Sequence, residues 1–172
     1  MNQQLIECVP NFSEGRDLGI IKQITNEIES IEGVKLLDVD PGAATNRTVV
    51  TFVGTPQAIV DAAFKAIVKA SELIDMRKHS GEHARMGATD VCPFIPVANI
   101  TMEETAKWAT KLAQKVGEST TIPVYLYGES QPNKNRKVLS IIRAGEYEGC
   151  LLYTSDAADD SLRVDLGGRR II

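Results

Sequence analysis

Short apolar runs alternate along this chain with amphipathic stretches, and turn residues separate them. Leu5 to Val9 is an apolar run halted by Pro10 and Asn11, which predicts a strand. From Asp17 to Ile31 the apolar positions are Leu18, Ile21, Ile24, Ile28 and Ile31. Those steps of three and four predict an amphipathic helix ended by Gly33. Val34 to Val39 is β-branched and apolar up to the Pro41-Gly42 stop, and Thr48 to Val53 reads as a third strand ending at Gly54.

Thr55-Pro56 opens a second helix, with Thr55 as N-cap and Pro56 in its first turn. Its apolar stripe runs through Ile59, Ala63, Phe64, Ile67, Val68, Leu73 and Ile74. Val91 to Val97 is apolar again, but Pro93 and Pro96 make it an edge or irregular strand. Thr101-Met102-Glu103-Glu104 has the form of a capping box, so a third helix should run to about Val116. Pro123 to Tyr127 reads as a strand, Gln131 to Arg136 as a polar loop and Lys137 to Arg143 as a short helix.

This order predicts an α+β domain: a layered sandwich of a mixed β-sheet with helices on one face. A ferredoxin-like arrangement is the first reading and a doubly wound sheet the second. No repeat of solenoid length occurs.

Composition narrows the function classes. The 172 residues are 43% apolar and 24% charged, as in a globular protein, and carry a net charge of −4. With no clustered positive charge, a phosphate-backbone grip on nucleic acid is not expected. No apolar stretch is long enough to span a membrane, and the N-terminus lacks the basic start of a signal peptide. Cys8, Cys92 and Cys150 are odd in number and far apart, which fits neither a disulfide framework nor a zinc knuckle. A reducing cytoplasm is the expected compartment. Cys8 and Cys92 lie in strand runs and read as buried small hydrophobes.

Candidate chemistry concentrates in Asp75 to Asp90, DMRKHSGEHARMGATD. Both histidines, His79 and His83, lie there beside Glu82, Arg77, Lys78 and Arg85. Imidazole exchanges protons near neutral pH, so either histidine can serve as a general acid–base. The alternative is a solvated basic turn. His79 to His83 also fits the H-x-x-E-H zinc pattern, but that pattern needs a continuous helix and Ser80-Gly81 is poor helix material. No metal is expected.

Three further islands stand out. In Leu36 to Arg47, Asp38 and Asp40 alternate at a strand end and so share a face, while Asn46 and Arg47 could receive a carboxylate. Asp40-Pro41-Gly42 is equally a plain turn signal. Pro10 to Gly15 is a strand-to-helix loop with Ser13 or Asp17 as cap. Arg143 to Glu148 reads as solvated surface. Gly-x-Ser-x-Gly, Walker A and Gly-x-Gly-x-x-Gly patterns are all absent from the sequence.

These islands together resemble the N-terminal subdomain of the glutamate formimidoyltransferase family, the formiminotransferase domain also found in formiminotransferase-cyclodeaminases. The resemblance rests on ECVPNFSEG (7–15), LLDVD (36–40), TNRTV (45–49) with TFVG (51–54), LIDM (73–76), GEH (81–83) with RMGA (85–88), DVCPFIPV (90–97), VYLYGE (124–129) and IRAGEYE (142–148). Several islands in one order are far more specific than any single motif. The resemblance implies transfer of a formimino group from N-formimino-L-glutamate to tetrahydrofolate as co-substrate, in histidine degradation and one-carbon metabolism. It also implies tandem ferredoxin-like subdomains with the substrates bound between them. It makes His83 of Gly-Glu-His the general acid–base, and Asp40 the carboxylate that orients His83 or the cationic formimino group. Asn46, Arg47, Arg85 and Glu82 are the substrate-binding candidates.

The resemblance covers residues 1–149 as a truncated N-terminal subdomain. From Cys150 onward the sequence looks unlike the family and resembles translated adapter read-through, so 150–172 is expected to be a disordered, non-family tail. The second subdomain and the folate-contacting continuation are expected to be missing. A chain of this kind should be inactive alone and, with apolar surface uncovered, could self-associate as a homo-oligomer. A non-catalytic module of the same fold, holding folate or glutamate, is the alternative.

Overall fold

The structure, a computed structural model, describes residues 3–134, 137–144 and 146. Its backbone is organised by a hairpin, in which strand β3 (Val34–Gly42) pairs antiparallel with β4 (Arg47–Gly54). Two further strands, β1 (Leu5–Cys8) and β2 (Asn11–Phe12), lie end to end along the other side of β4. Val9-Pro10 separates them, because proline cannot donate to a ladder. In the same way β5 (Thr89–Val91) and β6 (Phe94–Ala98) lie along β2 and β1 and are separated by Cys92-Pro93. The sheet order is β5-β2-β4-β1-β6, with β3 added beyond β4.

Every strand pair among the described residues is antiparallel. This corrects the expected mixed sheet. Helix α1 (Leu18–Glu29) carries the chain from β2 to β3, which runs parallel to β1 and β2, but β4 intervenes. Helix α2 (Pro56–Leu73) likewise delivers β5 and β6 to the far side of β1 and β2. Each helical crossover skips a neighbour, so parallel strands never meet.

The alternation along β4 sets the layers. Thr48, Val50, Phe52 and Gly54 are buried, while Arg47, Val49, Thr51 and Val53 are half-exposed. A period of two puts these sets on opposite faces. The core lies between the first face, with Ile6, Cys8 and Phe12, and the apolar stripes of α1, α2 and α3 (Met102–Ser119). Val49 and Thr51 on the opposite, open face stand directly across from Asp40 and Asp38.

Helix boundaries follow their caps. Asp17 Oδ1 accepts from the Gly19 and Ile20 amides and starts α1. Gly33, at φ 84°, turns the chain from that helix into β3. Thr101 and Glu104 form the expected capping box, and α3 continues to Ser119. Pro56 begins α2, but the Thr55 side chain makes no capping bond.

Pro123 to Tyr127 is not a strand, in correction of the sequence reading: it is extended, with an isolated bridge residue at Val124. Together with α3 and β6 it lines an apolar cavity of about 230 Å³. A 3₁₀ turn (Gly128–Ser130) and the short helix α4 (Leu139–Ile142) follow. The reading of 150–172 as a tail falls outside the described residues. No helix among the described residues is long and apolar enough to cross a membrane.

Candidate functional site

A single carboxylate collects three cationic or titratable side chains. Asp90, in the middle of β5, is 1% exposed at its side chain and has Oδ2 2.7 Å from an Arg143 nitrogen, 3.6 Å from one of Arg47 and 3.9 Å from His83 Nε2. The contact to Arg143 is a charge-assisted hydrogen bond, whereas 3.9 Å to His83 Nε2 is too long for one and is an ion pair only when the imidazole is protonated. A buried carboxylate is costly unless paired, so these partners account for its presence. Its other oxygen, Oδ1, is buried without a hydrogen-bond partner among the described residues, as are Nε of Arg47 and Nε of Arg143.

Arg47 begins β4, and its guanidinium also donates to Asn11 Oδ1 on β2. Burial pulls Arg47 down from its ordinary value; Asp90 works against that and Arg143 adds to it. Arg143 closes α4 and reaches Asp90 across 53 positions of sequence. It is therefore not solvated surface, in correction of the sequence reading. Two guanidiniums against one carboxylate leave a local excess of positive charge, with Arg47 and Arg143 still 22% and 23% exposed.

His83 lies in the segment 74–88, which contains no helix. His79, Glu82 and His83 therefore do not share the helical face that the zinc pattern needs. Asp75 starts the segment with a turn, accepting from the Arg77 amide at 3.1 Å. Further along, the Glu82 amide donates to the Ala44 carbonyl at 3.2 Å. Ser13 fastens the far end: its hydroxyl donates to the Gly87 carbonyl at 2.6 Å, and its amide donates to that of Ala88 at 2.9 Å.

Asn46 is the clasp between the loop and the hairpin. It sits at φ 50°, buried, accepting from the Gly15 amide at 3.0 Å and donating to the Ser80 carbonyl at 3.1 Å. Its own carbonyl is 2.9 Å from His79 Nε2. Both ends of its carboxamide are thus engaged by backbone. His83 Nδ1 is 2.9 Å from the Ala84 carbonyl. A carbonyl can only accept, so Nδ1 carries the hydrogen and the neutral ring presents the lone pair of Nε2 beside Asp90.

The remaining candidates are spread around this centre. Arg85 is half-buried, with its amide 3.3 Å from Glu146 Oε2, and Glu82 is exposed. Asp40 is exposed on the open face of β3, and no hydrogen bond or ion pair joins it to His83 among the described residues. Its register opposite Val49 makes it a diagonal cross-strand neighbour of Arg47 on that face.

Three contributors fell within the candidate islands without being given a substrate or catalytic role from sequence: Asp90, Arg143 and Asn11. A lone acid inside the apolar run Ala88 to Pro96 was the available signal for Asp90, because such a residue must find cations when it is buried. Arg143 and Asn11 lay in islands read as solvated surface and as a strand-to-helix loop.

Comparison with known proteins bears on this geometry. Residues 5–171 match the model of the formiminotransferase domain, N-terminal subdomain. The chain is 55% identical over 145 residues to formimidoyltransferase-cyclodeaminase of Gallus gallus, covering 84% of this chain and 27% of that protein. It is 41% identical over 168 residues to glutamate formimidoyltransferase of Streptococcus pyogenes serotype M1, covering 98% and 55%. With the glutamate formimidoyltransferase of Thermoplasma acidophilum it shares 46% identity over 144 residues, 84% of this chain and 48% of the other. The chain thus spans between about a quarter and about half the length of these relatives.

Proposed function

This chain belongs to the formiminotransferase N-terminal subdomain family, and from that premise we propose that it forms one wall of a formimino-transfer site with His83 as general acid–base. The observation that carries the reading is the grouping of His83, Arg47 and Arg143 on buried Asp90. The relatives are named for formimidoyl transfer, which supplies the reaction. N-formimino-L-glutamate as donor and tetrahydrofolate as acceptor, within histidine degradation, complete the proposal.

The chemistry balances within these residues. The attacking folate nitrogen forms a bond to the formimino carbon and gives its proton to His83 Nε2. The tetrahedral intermediate then breaks its bond to the glutamate nitrogen, and His83 returns the proton to that departing amine. The excess positive charge of Arg47 and Arg143 suits a glutamate carboxylate, for which the guanidinium fork is shaped. Asp40, exposed near Arg47 on the same face, is suited to the cationic formimino group. Arg85 and Glu82 lie beside His83 in sequence and complete the set. Asp90 acts from beneath, as a positioning residue. The reaction so written needs no metal.

The strand order supports a ferredoxin-like layering. With β1–β2 and β5–β6 each taken as one interrupted strand, the sheet runs fourth, first, third, second in chain order, all antiparallel. The open face carries Ile95 and Val97, 38% and 54% exposed, which suits covering by a second subdomain. On this reading the substrates bind between two such sheets, and the chain alone does not turn over. The cytoplasm is the compartment in which the substrates would be met.

The test is a chimera in which residues 5–148 replace the matching part of the Streptococcus pyogenes relative. Transfer to tetrahydrofolate is measured, with His83→Ala beside it. A loss of roughly 10²- to 10⁴-fold on that substitution is expected for a general acid–base. Unchanged turnover in the variant overturns the role of His83. Folate or glutamate binding without turnover in the unaltered chimera favours a non-catalytic module.

A further inference from the structure

A second reactive pair lies on the helix-covered side of the sheet. Cys8 Sγ and Cys92 Sγ are 3.6 Å apart, though 84 positions separate them in sequence. Cys8 ends β1 opposite Phe94 of β6. Cys92 precedes Pro93 in the break between β5 and β6, where the ladder is interrupted. Val9 donates to the Pro93 carbonyl at 3.2 Å, which holds this break against the end of β1.

We propose that Cys8 and Cys92 form a redox-active dithiol that hydrogen peroxide closes into an intramolecular disulfide, with Cys92 reacting first. The two sulfurs differ in access. Cys8 is fully buried, while Cys92 is half-buried and lines the cavity of about 230 Å³ between α3, β6 and residues 124–130. That volume admits a molecule as small as a peroxide, so the oxidant meets Cys92. Burial, together with the neighbouring Cys92, pushes the Cys8 thiol well up, which suits it to the second step only.

The steps balance. The Cys92 thiolate sulfur attacks one peroxide oxygen, the O–O bond breaks and hydroxide leaves, giving Cys92 sulfenic acid. Cys8 sulfur then attacks Cys92 sulfur, the S–O bond breaks, and water leaves with the Cys8 proton. Two thiols and one peroxide become one disulfide and two waters. The sulfurs must approach by about 1.5 Å to reach a normal bond of about 2.05 Å. The inference uses no residue of the transfer site and is independent of that reading.

The test uses the full chain carrying Cys150→Ser, so that no third thiol exchanges. Folded protein is treated with stoichiometric hydrogen peroxide, blocked with an alkylating agent, digested without reductant and analysed by mass spectrometry. A linked peptide pair holding Cys8 and Cys92, lighter by two hydrogens than the reduced pair, is expected. Cys8→Ser should then leave Cys92 as a sulfenic acid trapped by dimedone. Survival of both thiols, over-oxidation of Cys92 in the parent chain without a link, or linkage only between chains overturns the proposal. The parent-chain result stands alone if Cys8→Ser fails to fold.

Discussion

Arg143 Nη2 donates to Asp90 Oδ2 across 2.7 Å, which ties the last described helix to the middle of β5. Because Asp90 is 1% exposed, the pair cannot be broken from one side without stranding a charge. Arg143→Ala removes one of its cations while Arg47 remains. Asp90→Ala leaves two guanidiniums facing each other without a carboxylate. Breaking a buried pair by removing one partner costs about 3–5 kcal/mol, so Asp90→Ala should reach that range. Arg143→Ala should cost less, since Arg143 is partly solvated. Urea denaturation of both variants checks the order, and equal losses would show that Arg47 does not share the charge.

The loop carrying His83 depends on a glycine. A Cβ at Gly81 would stand 2.3 Å from the Thr45 carbonyl oxygen, a backbone atom that cannot turn aside. Gly81→Ala must therefore lift residues 78–83 off the hairpin turn. Displacement of a catalytic group by about 1 Å can cost about 10²-fold in rate. In the chimera, a fall of that order in kcat is expected with only modest loss of Tm. Full activity in Gly81→Ala would show that His83 keeps its place without this contact.

The sheet faces make separable predictions. Phe52 is fully buried beneath the helices, whereas its neighbour Val53 is half-exposed on the open face. Phe52→Ala should cost about 3–5 kcal/mol, as other large-to-small core changes do. Val53→Ala, losing less buried area, should cost well under half of that. Chemical denaturation of both variants decides it, and comparable losses would mean that the open face is covered in solution.

Much of this architecture was legible because local and global signals agree. The stripe of α1, the Pro56 start and the Thr101–Glu104 box each follow from spacing and cap chemistry, and each appears in place. The failures have one physical source. Strand pairing is non-local, so no pattern within Val34 to Val53 reveals that β4 will separate β3 from β1. Pro123 to Tyr127 has the composition of a strand but forms only an isolated bridge, at Val124. The candidate histidine stood out because Gly-Glu-His is a local island. The site was hidden where it depends on tertiary contact: Asp90, Asn11 and Arg143 become one cluster only after the sheet assembles. The carboxamide of Asn46 clasps two backbone segments, a contact that no local pattern displays.

The α3 cap offers a direct check on local stability. Thr101 Oγ1 accepts from the Glu104 amide at 3.2 Å, and Glu104 Oε2 accepts from the Thr101 amide at 2.9 Å. Thr101→Ala should cost about 0.5–2 kcal/mol, the usual range for a lost N-cap. Thr101→Ser, which keeps the hydroxyl, should recover most of it. A thermal melt series reads both, and a neutral Thr101→Ala would mean that packing alone holds the helix start.

Asp75 gives the protein an acid-sensitive turn at the base of the His83 loop. Hydrogen bonds from the Arg77 side chain, opposed by burial and aided by the Arg77 amide, bring its carboxyl down to about 2. The ordinary aspartate value is about 3.9, so the folded state holds this carboxylate charged where the unfolded chain begins to protonate it. A lowered folded value contributes stability that is complete above the unfolded value. That contribution fades as pH falls from about 4 and is gone once pH passes below about 2. Solvent screening keeps the contribution small, so its pH course is the signature to follow. The Tm difference between the parent chain and Asp75→Asn should be constant above about pH 5 and shrink across that window. A carboxyl-carbon NMR titration of the parent chain should show Asp75 with a midpoint near 2. A midpoint at the ordinary value, with a Tm difference that does not change with pH, would mean that Arg77 does not hold the carboxylate in solution.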